Sequence, residues 1–307
     1  MTGRILVTGA SGFIGRRLLP ALTQAGFSVV APVRAPQPAQ DGVGFSILES
    51  IETFDWGPLL TGVDAVVHLA AIAHTKDVGT EEIYDRVNAE ATLRLAGFCE
   101  GRVARFAFVS SIRAITGPTS NEILDDESAP APTDAYGRAK LKAERGLARL
   151  VLSTAILRPV VVYGAGVKGN LARIAGLADT PLPLPFAGLQ AARSFLSLDN
   201  LVSAILFALA QSGVGARSFA VADPEPSSVA ELLAGLRAGL GRPARLWRAP
   251  PRLLGFAAQA AGQGENWALL SGPLAVRPRR LLEAGWSPPV AQTFLGARRW
   301  GESLRGR

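Results

Sequence analysis

The sequence predicts an α/β fold in which a doubly wound parallel sheet carries helices on both faces and is followed by a smaller α/β lobe. One observation is the alternation of strand and helix patterns through the first half of the chain. Another is that the strand segments, such as AVVHL at 65–69 and FAFVS at 106–110, are nearly continuous apolar runs. Such runs are typical of parallel strands that are buried on both faces.

The elements of the first half follow one another in a regular rhythm. In chain order they are a strand at 5–8, a helix at 13–24, strands at 28–33 and 65–69, a helix at 83–98 and a strand at 106–110. After Pro159 a passage rich in glycine and proline, at 164–188, predicts a lobe of loops and short elements. We therefore expect one domain from residues 1–165 with 194–222 returning to its sheet, and a lobe from residues 166–193 and 223–307.

Composition excludes several classes of protein. The single cysteine, Cys99, cannot form an internal disulfide, and the first residues lack the pattern of an export signal, so we expect a cytoplasmic protein. The longest apolar stretch, 201–210, is about half of the roughly 18 residues that suggest a membrane span, and predicts a buried helix and no integral membrane segment. His68 is expected to be a core histidine, and His74 lies in a loop. Neither forms a cluster with nearby carboxylates, so we predict no metal.

The net charge of +7 raises the question of a nucleic-acid partner. The arginines are spread along the chain, only four lysines are present, and no basic run interleaved with aromatic residues occurs. We predict no nucleic-acid binding and expect a small anionic substrate to account for the charge.

A glycine-rich string, RILVTGASGFIGRRL, joins the first strand to the first helix at 4–18. Gly9, Gly12 and Gly15 provide a tight turn, close approach of the backbone to a pyrophosphate, and packing of the helix against the strand. The backbone N–H groups of Phe13 and Ile14 then point at the phosphates, with the positive end of the helix dipole behind them. The string predicts a Rossmann-type dinucleotide-binding domain at residues 1–165 and leaves the lobe to bind substrate.

The end of the second strand indicates which dinucleotide is preferred. An acidic side chain at this place would bind the ribose hydroxyls and repel a 2′-phosphate, but here the strand ends at Val33 and Arg34 follows. We predict NADP(H) as the preferred cofactor, with NAD(H) as the alternative, and expect Arg34 and Arg16 to pair with the phosphate. The alternative for Arg34 is a solvated loop residue.

A second motif carries candidate catalytic residues. Tyr136 and Lys140 are four residues apart, so they lie on one face of a predicted helix. A nearby ammonium group favours the phenolate and is expected to lower the pKa of Tyr136 toward the working range of a proton carrier. Ser111 stands at the carboxyl end of a strand, where parallel sheets bind ligands, and can orient a substrate oxygen.

In sum, the sequence resembles the extended short-chain dehydrogenase/reductase family of nucleotide-sugar epimerases, dehydratases and reductases. The motifs that carry the resemblance are TGASGFIG at 8–15, DAVVHLAA at 64–71, VNAEAT at 87–92, FVSS at 108–111, YGRAK at 136–140, LRPVVVYG at 157–164 and RSFLSLDNL at 193–201. They occur in the family's order along nearly the whole chain.

The resemblance implies further roles in the cofactor site. Lys140 is expected to bond the ribose of the nicotinamide nucleotide, and Pro159 to contact the nicotinamide. The residues expected to line the cofactor at the end of the third predicted strand are Leu69, Ala70 and Ala71. A homodimer formed through helices at 83–98 and 136–152 is also implied.

The resemblance also implies substrate contacts. Asn88 is expected to support the active site, although its side chain could equally satisfy backbone groups. Asn170 and Arg193 match positions that hold the diphosphate of a nucleotide-sugar, for which a guanidinium group is well suited.

The residues that follow Ser111 in the sequence limit the choice of reaction. The dehydratases of this family have an acid pair directly after the catalytic hydroxyl, whereas Ser111 is followed by Ile112 and Arg113, which argues against dehydration. The missing acid at the end of the second strand and the presence of Arg34 favour a reductase over an epimerase. The strings GVKGNLARI at 166–174, PLPLP at 181–185 and RSFLSLDNL at 193–201 resemble those of bacterial 4-ketoreductases of polysaccharide assembly. This resemblance implies reduction of a UDP-4-keto-6-deoxy-N-acetylhexosamine to a UDP-N-acetylquinovosamine-type product. The alternatives are a UDP-sugar 4-epimerase with tightly bound NAD, a reductase of other carbonyl compounds, and a dinucleotide-binding sensor or assembly protein without turnover.

Overall fold

The computed structural model describes residues 3–73, 80–211, 216–260, 262, 267 and 271–305. The chain forms two compact units. The first unit comprises residues 1–116, 129–159 and 202–219, and the second comprises 117–128, 160–201 and 220–307. This division differs from the expected one at 117–128, 160–165, 194–201 and 220–222, all of which belong to the second unit. At 117–128 the reason is that Ser120 and Leu124 donate backbone hydrogen bonds to the carbonyls of Pro273 and Ala275.

Strands and helices alternate along the chain. The strands are β1 Arg4–Thr8, β2 Ser28–Val33, β3 Val43–Ile47, β4 Ala65–His68, β5 Arg105–Val109, β6 Thr154–Pro159, β7 Val162–Tyr163, β8 Leu196–Ser197 and β9 Ala216–Val221. The helices are α1 Phe13–Gln24, α2 Glu81–Tyr84, α3 Ala91–Cys99, α4 Ala135–Leu147, α5 Asn170–Ala178, α6 Leu198–Ala210, α7 Val229–Gly239, α8 Pro251–Ala260, α9 Arg279–Glu283 and α10 Thr293–Arg305.

In the described residues, seven strands form a sheet in the order β3-β2-β1-β4-β5-β6-β9. The registered pairs of β1 with β2 and β4 are parallel, and Leu6 of β1 lies opposite Val30 and Val66. The direction of winding reverses between β1 and β4, which makes the carboxyl ends of these two strands the place where such sheets bind ligands. The predicted doubly wound α/β fold is confirmed.

Several local features differ from the sequence prediction, among them the end of α4, which lies at Leu147 and not at 152. Strand β3 was not predicted, because its sequence VGFSI is short and contains a glycine. The single helix predicted at 83–98 is two α-helices with a π-helical turn, Asp85–Glu90, between them. The nine-residue helix α5 lies in the passage for which loops and short elements were predicted.

Each unit has its own apolar core. In the first unit the largest members are Trp56, Phe106 and Phe108. In the second unit the core contains Tyr163 and Trp300, and α7 packs against α10. Among the helices in the described residues, none is both long and apolar enough to cross a bilayer.

Candidate active site

The loop between β1 and α1 requires glycine at two positions. Gly9 has φ of +70°, in the left-handed region, and a Cβ atom there would lie 2.8 Å from the backbone nitrogen of Ala70. A Cβ atom at Gly15 would lie 2.3 Å from the carbonyl oxygen of Ala10. Both contacts are with backbone, which cannot move aside. The loop therefore depends on the absence of these two side chains.

The start of α1 has the chemistry of an anion site. Gly12 caps α1 without a side-chain hydrogen bond, and no acidic residue lies in the first turn. The N–H groups of Phe13 and Ile14 belong to the first turn and have no acceptor within the helix. Because the positive end of the helix dipole lies at the same place, the loop fits the pyrophosphate of a dinucleotide.

The segment expected to line the cofactor follows β4 directly. Leu69 and Ala70 are tied to the end of β1, since their N–H groups donate to the carbonyl oxygen and to Oγ1 of Thr8 at 3.2 and 3.3 Å. Ala71 continues this segment, and Pro159 is the last residue of β6. The four residues thus follow or end strands of the parallel sheet on its carboxyl side.

The end of β2 carries no carboxylate. Val33 is buried, and Arg34, the next residue, is exposed. Arg16 in the first turn of α1 is also exposed, and its Nε donates to the carbonyl of Ser11 at 2.9 Å. An arginine therefore stands where an acid would repel a 2′-phosphate.

The structure brings Ser111, Tyr136 and Lys140 together beyond the end of β5. Ser111 begins the short helical turn Ile112–Ala114, and its hydroxyl is hydrogen-bonded to the phenol of Tyr136. Lys140 lies one turn after Tyr136 in α4, with its Nζ 5.9 Å from the centre of the Tyr136 ring. A hydroxyl, a phenol and an amine thus share one site.

Burial dominates the electrostatics of Tyr136. It raises the pKa of the phenol to about 12, against the hydrogen bond from Ser111, which lowers it. The carboxylate of Asp134 and the nearby Tyr84 raise this pKa further, and the charge of Arg113 lowers it. Tyr136 is therefore protonated at neutral pH.

Lys140 is only 1% exposed. Its Nζ donates to the carbonyl oxygen of Val109 at 3.0 Å and lies 4.6 Å from the centre of the Phe108 ring. Burial lowers the pKa of Lys140 to about 7, although the carboxylate of Glu144 acts in the opposite direction. We expected the ammonium group of Lys140 to lower the pKa of Tyr136. The structure differs, because burial lowers the pKa of this amine and raises the pKa of the phenol.

A buried ion pair that the sequence analysis missed lies one turn beyond Lys140. Arg158 donates to the carboxylate of Glu144 through Nη2 at 2.6 Å and Nε at 3.1 Å, and Ser110 Oγ donates to the same carboxylate at 2.5 Å. Both charged side chains are less than a tenth exposed. The available signal was spacing, since Glu144 follows Lys140 by four residues and shares its helix face.

Arg113 is a second residue whose role was missed. Its Nε donates to Asp134 at 2.9 Å, and Asp134 in turn caps α4 by accepting from the N–H of Gly137 at 2.6 Å. The Nη1 atom of Arg113 is buried and has no hydrogen-bond acceptor among the described residues. Arg113 therefore fixes the start of α4 and presents a donor and a positive charge beside Tyr136.

Asn88 lies in the π-helical turn and is buried. Its Oδ1 accepts from the N–H of Ile72, and its Nδ2 donates to the carbonyl of Ile72, both at 2.9 Å. Hydrogen bonds of the Asn88 side chain to backbone groups were the expected alternative to a direct role in the active site. They hold the segment after β4, so Asn88 is a positioning residue in this arrangement.

His68 is a core histidine, as predicted. Its ring nitrogens lie 2.7 Å from Thr8 Oγ1 and 2.9 Å from Thr92 Oγ1. Burial, followed by the charge of Lys140, lowers its pKa to about 3, so the ring is neutral. No group of three His, Cys, Asp or Glu residues in the described parts of the chain could hold a metal ion, and His74 lies outside them.

The two residues expected to hold a diphosphate lie in the second unit. Asn170 is the first residue of α5. Arg193 is buried, and its guanidinium group donates to the carbonyl oxygens of Gly272 at 2.7 Å and Pro118 at 3.3 Å. These bonds stabilise the second unit, and the diphosphate contacts stay predictions.

Comparison with known proteins identifies the family. A model of the NAD dependent epimerase/dehydratase family matches residues 5–222. The UDP-glucose 4-epimerase of Vibrio cholerae is 32% identical, with 97% of each chain covered.

Solved structures share the fold at lower identity. UDP-glucuronic acid 4-epimerase from Bacillus cereus in complex with NAD has a TM-score of 0.76 and 22% identity, covering 98% of this chain and 96% of that one. A human epimerase family protein with NADPH has a TM-score of 0.73 and 22% identity, covering 98% and 100%. The family match spans most of the chain and the Vibrio relative nearly all of it, so the chain belongs to the NAD-dependent epimerase/dehydratase family, the extended short-chain dehydrogenases/reductases.

Proposed function

We propose that the chain is an NAD(P)-dependent oxidoreductase acting at C4 of a UDP-sugar, and that it reduces a UDP-4-keto-6-deoxy-N-acetylhexosamine to a UDP-N-acetylquinovosamine-type product. The observation that carries the redox chemistry is the Ser111–Tyr136 hydrogen bond beside the buried amine of Lys140. The similarity to a UDP-glucose 4-epimerase over nearly the whole chain supports the nucleotide-sugar.

Ser111, Tyr136 and Lys140 have different roles in the proposed reaction. When bound, the reduced dinucleotide supplies the hydride that reaches C4 of the sugar. Tyr136 donates the proton to the C4 oxygen, and Ser111 hydrogen-bonds the same oxygen, so two donors meet the developing negative charge. Lys140, with a pKa of about 7, holds an exchangeable proton in the same site at neutral pH.

Tyr136 is protonated at neutral pH, because burial raises the pKa of its phenol to about 12. This form donates a proton to a ketone, whereas the first step of an epimerase needs the phenolate. A phenol with its ordinary pKa near 10 is also protonated at neutral pH, so the two reactions are distinguished by their cofactor stoichiometry and not by this pKa.

A UDP-sugar 4-epimerase with tightly bound NAD is the second candidate. The relative from Vibrio cholerae favours it, since that protein is a UDP-glucose 4-epimerase. The two reactions differ in stoichiometry, because an epimerase regenerates its cofactor in every turnover and a reductase consumes one equivalent per product.

We include a cytoplasmic homodimer and a preference for NADP(H) in the proposal. The homodimer rests on the family resemblance, the cytoplasmic location on the single cysteine, and the preference for NADP(H) on Arg34 after β2. Light scattering is expected to give the mass of a dimer, and a monomer would contradict that part.

The test is NADPH consumption by the purified protein with a UDP-4-keto-6-deoxy-N-acetylhexosamine. Tyr136→Phe is expected to abolish consumption. Tyr84→Phe is the matched control, since the Tyr84 ring lies edge-on to Tyr136 at 6.1 Å, and it should keep most of the activity. Interconversion of UDP-sugars without net cofactor use would favour the epimerase, and turnover by Tyr136→Phe equal to that of the wild type would overturn both candidates.

A further inference from the structure

The second unit exposes a group of large apolar side chains on and beside helix α8. Trp247 is 52% exposed, Leu253 66% and Phe256 75%, and Leu182 on a neighbouring segment is 63% exposed. We call these four residues the α8 apolar patch. Single exposed apolar residues are ordinary on protein surfaces, whereas a group of them marks an interaction site.

Backbone pairing links two of the segments that carry the patch, and α8 begins four residues after Trp247. The N–H of Trp247 donates to the carbonyl of Leu184 at 2.9 Å, and the N–H of Leu184 donates to the carbonyl of Arg245 at 3.0 Å. This pairing holds the strand-like segment 245–248 beside 182–187, so Leu182 and Trp247 lie on adjoining backbone.

Helix α8 turns two large apolar residues outward. Leu253 and Phe256 are three residues apart and therefore share a face. The position between them packs inward, since a Cβ atom at Gly255 would lie 2.9 Å from Nε1 of Trp267. The side of α8 that carries Leu253 and Phe256 is therefore different from the side that packs against the rest of the second unit.

Positive charges predominate around the patch. The sequence from 232 to 264 contains five arginines and no acidic residue. Arg242 is paired with Asp179 at 2.8 Å. The exposed side chains of Arg245, Arg248 and Arg252 form no ion pair within the described part of the chain.

We propose that the α8 apolar patch docks on the surface of an anionic lipid bilayer, with α8 lying in the plane of the interface. The ten residues of α8 are too few to span a bilayer. An amphipathic helix with Leu and Phe on its outer face, one arginine of its own and two more in the segment before it suits the boundary between headgroups and acyl chains. Trp247 has the side chain that is enriched at this boundary. The three arginines reach anionic headgroups while their stems cover apolar surface.

Charge argues against a second copy of this chain as the occupant. A twofold contact through the patch would place the arginines of both copies against each other, and no acidic residue from 232 to 264 would be there to pair with them. A bilayer with anionic lipids supplies both the apolar interior and the counter-charge.

The test is co-sedimentation of the purified protein with vesicles. Vesicles of phosphatidylglycerol and phosphatidylcholine are expected to pull down the wild type, and vesicles of phosphatidylcholine alone to bind it much more weakly. Leu253→Asp with Phe256→Asp should weaken binding at least about tenfold, because burial of each apolar side chain is lost. Arg245→Gln with Arg248→Gln and Arg252→Gln should weaken it by about fivefold for each arginine and only on anionic vesicles.

Val151→Asp is the matched control, because Val151 is 86% exposed and belongs to the first unit. It should bind like the wild type, and all variants should unfold at similar urea concentrations. Absence of the wild type from the pellet, or equal binding by the Leu253/Phe256 variant and the control, would overturn the proposal. A dimer that the same double variant turns into a monomer would also overturn it, since the patch would then be covered by a second copy.

Discussion

Replacing Lys140 by methionine is expected to stabilise the protein while it abolishes activity. Lys140 is 1% exposed, and burial lowers its pKa from 10.5 to about 7. The unfolded chain therefore binds more protons than the folded protein between these two values. Since one pKa unit corresponds to about 1.4 kcal/mol, burying this amine costs the folded state about 4 kcal/mol at neutral pH.

The free-energy cost of burying Lys140 falls as the pH rises. It has its full value below about pH 7, where the amine is charged in both the folded and the unfolded state. It disappears as the pH approaches 10.5, above which the amine is neutral in both states. Methionine has a similar length and no charge, but it loses the hydrogen bond to Val109, worth about 1 kcal/mol. The free energy of unfolding of Lys140→Met should therefore exceed that of the wild type by about 3 kcal/mol at neutral pH, and by close to nothing near pH 10.

Urea unfolding followed by tryptophan fluorescence at several pH values measures this difference. Lys142→Met is the control on the same helix, because Lys142 is exposed and pairs with Asp85 at 2.8 Å, an interaction worth less than about 1 kcal/mol. The reasoning is refuted if Lys140→Met is less stable than the wild type at neutral pH, or if the difference between them does not change with pH.

Three further substitutions test separate parts of the site. Arg113→Met removes a charge that lowers the pKa of Tyr136; oxidation of the product by NADP+, which needs the phenolate, should then rise with pH only at more alkaline values than in the wild type. Arg34→Glu should lower kcat/KM for NADPH by at least about tenfold, by removing a charge-assisted phosphate contact, and change kcat/KM for NADH much less. Gly9→Ala should reduce the free energy of unfolding by at least about 2 kcal/mol, through its positive φ and the backbone clash, and should raise the Kd for the dinucleotide.

Controls exist for these substitutions within the chain. Arg138→Met removes an exposed arginine of α4 that pairs with Glu81, and it should leave the pH profile unchanged. Gly101→Ala has a similar φ of +67° but nothing within 4 Å of the new Cβ atom, so only strain of about 1–2 kcal/mol is expected. Unchanged dinucleotide binding by Gly9→Ala, or a pH profile for Arg113→Met that moves toward acid, would contradict the corresponding argument.

Sequence reasoning succeeded where a residue type is required by local geometry. Gly9 and Gly15 are glycines because a Cβ atom would collide with backbone, and this requirement is visible as a spacing in the sequence. The spacing of Tyr136 and Lys140 likewise determines their common helix face. The central strands were recognisable because they are apolar throughout.

The rest could not be predicted because it depends on long-range packing. The pairing of Glu144 with Arg158 joins a helix to a strand, and nothing in the local sequence around either residue predicts that it is buried. Whether Lys140 is an ammonium or an amine at neutral pH depends on how deeply it is buried, which spacing does not reveal. The membership of 117–128 in the second unit depends on backbone bonds to residues about 150 positions away.

The most direct test of the proposed function is transfer of deuterium from NADPH deuterated at C4 of the nicotinamide to a UDP-4-keto-6-deoxy-N-acetylhexosamine. The wild type and Tyr84→Phe are expected to give a product with deuterium at C4 of the sugar, in one equivalent per NADPH consumed, and Tyr136→Phe to give none. Failure of the wild type to transfer deuterium, or equal transfer by Tyr136→Phe, would contradict the account.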